Sequence, residues 1–345
     1  MRTQRGFLFA LAALAVAPLT PSAGAQEAPG SKPADLSKPV QVFILMGQSN
    51  MVGMGKIKGG EGSLETAVKE KKKYPYLVDA AGNWVERKDV RFVRYMSGKG
   101  PLNNEWMGIR GGTIGPEYGI ANEVGNALDE PVMILKCCIG NRSIGWDLLP
   151  PGSPRIEENG KIYAGYKDSP DCWDKGTEPK KVGWYAGKQY DDDTADAKKA
   201  LAELDKHYPG AKGCEVAGFF FWQGEKDNGN PVHSKYYEQN LVNFIKALRK
   251  DFNAPGAKFV CATLGEAVKG SGNKVMEGHF AVDGNSGKHP EFRGNVATVY
   301  SHPLSMGGSG NGHYGGNAET YMNVGEAMGK AMVELLKVKA PVKKR

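Results

Sequence analysis

Short apolar segments alternate with amphipathic segments along most of the chain, and this alternation limits the possible folds more than any other feature. The apolar segments have the length and composition of buried strands and lie at residues 40–46, 131–137, 216–222, 258–264 and 295–300. Apolar residues at helical spacing occur between and after them, at residues 117–128, 193–207, 234–252 and 317–337. Strands that alternate with helices form a parallel sheet covered on both faces. We therefore predict a single α/β domain over residues 39–337.

The first 25 residues have the pattern of a secretory signal peptide. Arg2 and Arg5 precede an apolar stretch over residues 6–19, and Ala23-Gly24-Ala25 is a small-residue cleavage site. The apolar stretch is too short for a membrane span. We therefore predict export to the periplasm or the extracellular space, with no stable membrane insertion after cleavage.

The segments that flank the predicted domain are polar. Residues 26–38 are rich in Pro, Ser, Ala and charge, which predicts a disordered lead-in, and residues 338–345 form a basic tail. Loss of the two arginines of the signal peptide lowers the formal net charge from +7 to +5. The lysine clusters have neither stacking aromatic residues nor a nucleic-acid-binding module beside them, so no nucleic-acid partner is predicted.

The five cysteines give little support for a metal site or a disulfide framework. An odd number in an exported chain leaves at least one thiol free or paired between chains. No Cys-x-x-Cys and no tight His/Cys cluster occurs, so we predict no structural zinc. The sequence leaves the oligomeric state open.

Two long insertions interrupt the alternation, at residues 54–112 and 141–190. We predict that both are mainly loops, with a possible hairpin around Ala81-Gly82-Asn83, and that both rise on the face where the strands end. Aromatic residues of the second insertion either form the wall of a sugar site or form small cores under the loops; they are Trp146, Trp173, Trp184 and Tyr185.

The first predicted strand leads directly into Gly47-Gln48-Ser49-Asn50. A parallel sheet places its chemistry beyond the carboxyl ends of its strands, which is where a nucleophilic Ser49 would lie. The alternative is an ordinary Ser- or Asn-type turn without chemistry. A nucleophilic serine needs a base within hydrogen-bond reach and donors for an oxyanion, so the other strand ends decide between the two interpretations.

The later strand ends supply these groups. His313 stands between the last strand and the last helix, which favours it as the base; His302, directly after the last strand, is the second candidate. Gly140 follows the second strand, where a glycine lets its N–H approach a ligand. Gln223 follows the third strand and can offer its side-chain amide to the same oxygen.

These blocks together resemble the SGNH-hydrolase superfamily. Gly47-Gln48-Ser49-Asn50-Met51, then Gly140, then Gln223-Gly224-Glu225-x-Asp227, then His313 occur in family order over residues 39–337. More narrowly, the chain resembles carbohydrate esterases typified by sialate O-acetylesterase and some acetylxylan esterases.

The resemblance implies a fold and a set of roles. The fold would be a three-layer α/β/α sandwich with a parallel, flavodoxin-like sheet. Ser49 would be the nucleophile and His313 the general base. The N–H groups of Ser49 and Gly140 and the side chain of Gln223 would form the oxyanion hole, with Asn50 among the residues that bind substrate. The substrate would be an O-acetylated carbohydrate, and no metal or organic cofactor is implied.

One position departs from the family pattern. The aspartate that usually stands three residues before the catalytic histidine is replaced by Gly310, and no Asp or Glu occurs between Glu291 and Glu319. Loss of such an acid can lower the kcat of a triad enzyme by roughly 10⁴-fold. Glu225, Asp227 or a backbone carbonyl could orient His313 instead. A catalytically silent carbohydrate-binding protein and an esterase for a non-carbohydrate ester remain as alternative functions.

Overall fold

A computed structural model describes residues 33–337 of the chain. The predicted signal peptide, the lead-in up to residue 32 and the basic tail lie outside these residues. The strands, in chain order, are β1 (Val40–Gly47), β2 (Gly55–Lys56), β3 (Glu86–Met96), β4 (Lys99–Gly108), β5 (Thr113–Ile114), β6 (Val132–Cys137), β7 (Ile156–Glu158), β8 (Lys161–Tyr163), β9 (Cys172–Asp174), β10 (Cys214–Trp222), β11 (Lys258–Ala262) and β12 (Val296–Val299). The α-helices are α1 (Ser49–Val52), α2 (Glu117–Ala127), α3 (Lys188–Ala202), α4 (Leu204–His207), α5 (Glu225–Asn228), α6 (Pro231–Lys235), α7 (Tyr237–Asp251), α8 (Lys274–Val282) and α9 (Ala318–Lys337).

The central sheet has seven strands in the order β12-β11-β10-β1-β6-β3-β4. All neighbouring strands are parallel except β3 and β4, which pair antiparallel at one edge. The five strands predicted from the sequence are all present, and their order is the flavodoxin-like one. The predicted three-layer α/β/α sandwich is therefore confirmed, with an antiparallel edge strand added to it.

Alternating side chains of β1 build the two cores. Phe43 and Leu45 point into one apolar cluster, where α2 and α9 cover the sheet. Val42, Ile44 and Met46 point into the other cluster, which α3 and α7 cover. Because successive side chains of a strand face opposite sides, one continuous apolar run serves both layers. This double burial explains why β1 has no polar residue between Val42 and Met46.

The first insertion differs from the prediction. Residues 54–112 are not mainly loop, because they contain β3 and β4, which extend the sheet beyond β6. The hairpin turn lies at Ser97-Gly98, between these strands, whereas the segment around Ala81-Gly82-Asn83 closes only one bridge, from Val78 to Trp84. The many charged residues of β3 and of the edge strand β4 conceal the strand pattern, since strands near the margin of a sheet tolerate charge on an exposed face.

The second insertion and the predicted helices also differ in detail. Residues 141–190 contain a small antiparallel sheet of β7, β8 and β9, and Trp146 and Trp173 pack against a small apolar cluster there. Helix α8 is not among the helices predicted from the sequence. No helix within residues 33–337 is long and apolar enough to span a membrane. All five cysteines carry free thiols.

Candidate active site

Ser49 begins α1 directly beyond the end of β1, and backbone packing fixes the turn before it. Gly47 has φ +145°, and a Cβ there would lie 2.3 Å from the carbonyl oxygen of Trp222 at the end of β10. Only glycine fits this close approach of two neighbouring strands. The exits of β1 and β10 form the switch point of a sheet with this order, which is where such folds bind their ligands.

His313 reaches Ser49 from the loop between β12 and α9. The Nε2 atom of His313 lies 2.9 Å from the Ser49 Oγ. His313 and Tyr314 both have φ +53°, a left-handed conformation that is uncommon outside glycine. The ring of Tyr314 is fully buried and stacks on Trp222 with centroids 5.8 Å apart, which fixes the strained turn. His302 is not part of the site, since its Nδ1 contacts the carbonyl oxygen of Gly265 at 2.7 Å.

Gly140 follows β6 and lies beside Ser49. A Cβ placed on Gly140 would be 3.5 Å from the Ser49 Cβ, and both residues line the same cavity. The backbone at Gly140 is therefore close enough to Ser49 to serve, with the Ser49 N–H, as an oxyanion donor.

The loop after Gly140 is held in place by Asp227 and Gln223. Asp227 is fully buried, and its carboxylate accepts the N–H groups of Ile144 and Gly145, both at 2.9 Å. Gln223 donates to the carbonyl oxygen of Arg142 at 2.9 Å and to Asp227 at 2.6 Å. Burial raises the pKa of Asp227, and these hydrogen bonds oppose the rise.

This arrangement separates Gln223 and Asp227 from the reacting atoms. Gln223 is fully buried and does not line the cavity, and its amide nitrogen is within hydrogen-bond distance of protein acceptors. The contacts of Asp227 go to the Gly140 loop and not to His313. The geometry therefore favours a positioning role for both residues, in place of the direct roles expected from the sequence.

Asn50 connects the nucleophile turn to the His313 loop. Its amide nitrogen donates to the Glu225 Oε1 at 2.5 Å and to the carbonyl oxygen of Gly310 at 3.1 Å, while its oxygen accepts from Tyr321 at 3.2 Å. Asn50 has no exposed surface, so its side chain is not presented to substrate. Its contacts favour a positioning role for Asn50 as well.

Carboxylates occupy the space beside Gly310 that a side chain would fill. A Cβ on Gly310 would lie 2.6 Å from the Glu266 Oε2 and 2.8 Å from the Glu225 Oε1. Glu266 accepts the N–H of Gly310 at 2.9 Å. Acidic groups thus reach position 310 from two neighbouring strand ends, although the residue itself is glycine.

Glu225 is the buried member of this pair. Burial, with a smaller contribution from Glu266, raises the pKa of Glu225 to about 7. Its Oε2 is buried and makes no hydrogen bond to residues 33–337, and Glu225 lines the cavity with Ser49 and His313. The Nδ1 of His313 likewise has no hydrogen-bond partner within this part of the chain. Glu225 is therefore the buried carboxylate available in the catalytic cavity.

A buried ion pair supports the end of α1. Lys136 on β6 is 1% exposed, and its ammonium lies 2.5 Å from the Glu117 Oε2. The same ammonium donates to the carbonyl oxygen of Val52, the last residue of α1, at 3.0 Å. This contact satisfies a helix-terminal carbonyl that has no partner within so short a helix.

The site opens into a cavity of about 880 Å³. The catalytic pair shares it with residues from the second insertion and from α5 and α6, including Trp146, Asp171, Lys226, Asn230 and His233. Within residues 33–337, no group of His, Cys, Asp and Glu side chains has the arrangement of a metal site. Glu266, Asp171 and His233 carry no motif that predicts a place in the site. Only the fold brings Glu266 to Gly310 and brings Asp171 and His233 to the cavity.

Several solved structures and one family model are similar to this chain. No curated protein matches the chain by sequence. A protein of known structure from Arabidopsis thaliana is 17% identical, with a TM-score of 0.51, and the match covers 86% of this chain and 98% of that chain. NanS is 14% identical, with a TM-score of 0.43 and coverage of 76% and 77%. A carbohydrate acetylesterase from Xanthomonas citri is 13% identical, with a TM-score of 0.44, and the match covers 84% of this chain and 55% of that chain.

The Arabidopsis structure supports the fold alone at this level of identity. The family match is more specific, because residues 39–334 match the family described as "Carbohydrate esterase, sialic acid-specific acetylesterase". This range includes Ser49, Gly140, Glu225 and His313. Since the match spans most of the chain, the protein belongs to this family of carbohydrate esterases and is an acetylesterase.

Proposed function

We propose that the protein is an exported serine esterase that removes O-acetyl groups from a carbohydrate, of the sialate O-acetylesterase type. The observation that carries the proposal is the 2.9 Å contact between the Ser49 Oγ and the His313 Nε2 at a large cavity. A carbohydrate-binding protein without catalytic activity would not require this contact from a strained loop. The contact therefore favours an esterase over such a binding protein.

The first half of the reaction acylates Ser49. His313 accepts the Ser49 proton as the Oγ attacks the acetyl carbonyl carbon, and the tetrahedral oxyanion is stabilised by the N–H groups of Ser49 and Gly140. When the intermediate collapses, the bond from the acetyl carbon to the sugar oxygen breaks. The sugar oxygen takes the proton from His313 and leaves as a hydroxyl.

The second half releases acetate. Water, activated by His313, attacks the acetyl-Ser49 ester and forms a second oxyanion in the same position. Collapse breaks the bond to the Ser49 Oγ, which recovers its proton from His313. The net reaction consumes one water and yields a free sugar hydroxyl and acetic acid, which ionises at neutral pH.

Glu225 supplies the negative charge that the missing aspartate would have provided. Its carboxylate lies beside Gly310, three residues before His313, and lines the cavity. The ionised form stabilises the imidazolium of His313 through space, without a direct hydrogen bond to the ring. Asn50 holds both Glu225 and the carbonyl of Gly310, which couples the position of the acid to that of the base.

The substrate class and the location are further parts of the proposal. The family description supports an acetylated sugar such as an O-acetylated sialic acid. The pattern of the first 25 residues supports export, and cell fractionation of the full-length protein tests it. Recovery of an uncleaved chain from the cytosol would contradict the export proposal.

Acetate release by the chain from Gln26 onward tests the reaction. The substrates are 4-nitrophenyl acetate, O-acetylated sialic acid and acetylated xylan. We expect Ser49→Ala to lower kcat by roughly 10⁴–10⁶-fold on the best substrate. Ser271→Ala, in an exposed loop, is the matched control and should retain full activity. Absence of serine-dependent release from every substrate by folded protein would overturn the proposal.

A further inference from the structure

A second group of residues lines the catalytic cavity but takes no part in the acyl transfer described above. Trp146 and Asp171 come from the second insertion, and His233 comes from α6. We call these three residues the Asp171 wall. An esterase cavity must hold the rest of the substrate as well as the acetyl group, so this wall is a candidate for the surface that binds the sugar.

Asp171 is held rigidly. The His233 Nε2 lies 3.2 Å from the Asp171 Oδ1, and the Asp171 carbonyl accepts the N–H of Ala164 at 2.8 Å. The ring of His233 is confined by Gly145, where a Cβ would lie 2.6 Å from the His233 Cγ, and by the edge of the Tyr163 ring at 6.2 Å. A carboxylate fixed in this way loses little freedom when it binds a ligand.

The charge state of His233 strengthens this pair. Burial alone lowers the pKa of His233, but the hydrogen bond to Asp171 and the nearby charges of Asp227 and Asp147 outweigh it and leave the pKa raised. The raised pKa favours the protonated ring, whose Nε2–H can donate to the Asp171 Oδ1.

The free part of Asp171 faces the cavity. Its side chain is 38% exposed, and the Oδ2 accepts no hydrogen bond from residues 33–337. A carboxylate oxygen accepts only, so its natural ligands here are the hydroxyl donors of a polyol. Trp146 adds a flat apolar surface beside it, since part of its ring packs against Leu149, Ala164 and Ala186 while the residue still lines the cavity.

We propose that Asp171, positioned by His233 and flanked by Trp146, binds the hydroxyl groups of the sugar that carries the acetyl ester, and so determines which carbohydrate esters the enzyme accepts. This inference rests on the proposed function, because it concerns the substrate of the same Ser49 site. The Asp171 wall is thus a specificity element that acts on the leaving group and not on the acetyl carbonyl.

A comparison of an aryl ester with sugar esters tests the inference. 4-Nitrophenyl acetate has no sugar hydroxyls, whereas O-acetylated sialic acid and acetylated xylobiose do. We expect Asp171→Asn to lower kcat/KM for the preferred sugar ester by roughly 10–100-fold, the value of a hydrogen bond to a charged group, mainly through KM. The kcat/KM for 4-nitrophenyl acetate should stay within about twofold, since the acyl-transfer groups are untouched.

Two further variants make the result interpretable. Asp174→Asn removes an exposed carboxylate on β9 that pairs with Lys161. It should leave kcat/KM unchanged for the aryl ester and for the sugar esters. Trp146→Leu should lower kcat/KM for the sugar ester alone, which tests the wall without disturbing the pair of Asp171 and His233. Thermal melts confirm that each variant is folded.

The outcomes separate this inference from the proposed function. If Ser49→Ala retains hydrolysis of 4-nitrophenyl acetate, the proposed function fails. Suppose that Ser49 is required but that Asp171→Asn and Trp146→Leu lower kcat/KM equally for the aryl ester and the sugar esters, or for neither. The Asp171 wall then does not bind the sugar, and the inference is overturned.

Discussion

Replacement of Glu225 by Gln should make the protein more stable above neutral pH and less active. Glu225 is buried, and its pKa of about 7 lies well above the usual value of 4.5. The native state therefore holds the Glu225 proton more tightly than the unfolded chain does. The contribution of this group to stability is present below pH 4.5 and is lost as the pH rises towards 7.

The size of the effect follows from the shift. A displacement of one pKa unit is worth about 1.4 kcal/mol, so ionised Glu225 costs the native state about 3 kcal/mol above pH 7. Glutamine has the shape of the protonated acid and can still accept from Asn50. We therefore expect Glu225→Gln to exceed the wild type in unfolding free energy by about 1 kcal/mol at pH 5 and by about 3 kcal/mol at pH 8.

Urea unfolding at pH 5 and pH 8 measures this difference. Glu277→Gln is the control, since Glu277 is half exposed and, within residues 33–337, forms an ion pair with Lys274 alone. It should change the unfolding free energy by less than about 0.5 kcal/mol at both pH values. The same Glu225→Gln protein should lose roughly tenfold or more in kcat, because an amide does not stabilise the His313 imidazolium as a carboxylate does. A stability difference that does not grow with pH would refute the burial argument, and unchanged kcat would remove Glu225 from catalysis.

Three other substitutions test the supports of the site. Gly310→Asp restores the family residue, but Glu225 and Glu266 already fill that space. We therefore expect no rise in kcat, measured by acetate release, and a loss of about 1–3 kcal/mol in unfolding free energy, measured by calorimetry. Asp227→Asn should lower kcat on all esters alike by roughly tenfold, since asparagine offers only one neutral acceptor oxygen to the two N–H groups of the Gly140 loop. An effect on KM alone would contradict this role. Lys136→Met should lower the unfolding free energy, measured in urea, by about 3–5 kcal/mol, because it leaves Glu117 buried without its cationic partner. If this explanation is correct, the double variant with Glu117→Gln should recover part of the loss.

Much of the fold could be predicted because its central strands are buried on both faces. The segments that became β1, β6, β10, β11 and β12 are nearly continuous apolar runs, and such runs are hard to place anywhere except in the middle of a parallel sheet. Strand β3 and the edge strand β4 were missed for the converse reason. One of their faces meets solvent and carries charge, so their sequence resembles a polar loop.

The candidate site could likewise be predicted only in part from the sequence. The positions of Ser49, Gly140 and His313 follow from strand ends, since the carboxyl ends of parallel strands meet at one edge of the sheet. The roles expected for Gln223, Asp227 and Asn50 could not be refined from sequence, because a side chain beside the site either faces the cavity or turns inward to hold a loop. That choice depends on contacts with residues far away in the chain, such as Arg142 and Tyr321.

The sequence by itself determined the layer architecture, the order of the chemical blocks and the choice of Ser49 and His313, which the structure brings within 2.9 Å of each other. These properties depend on local periodicity and on residue type, which are present in the unfolded chain. The tertiary structure alone decided which carboxylate stands beside Gly310, which groups hold the Gly140 loop and how Asp171 reaches the cavity. Those features arise from packing between segments that are 44 to 260 residues apart, and no local pattern encodes such distances.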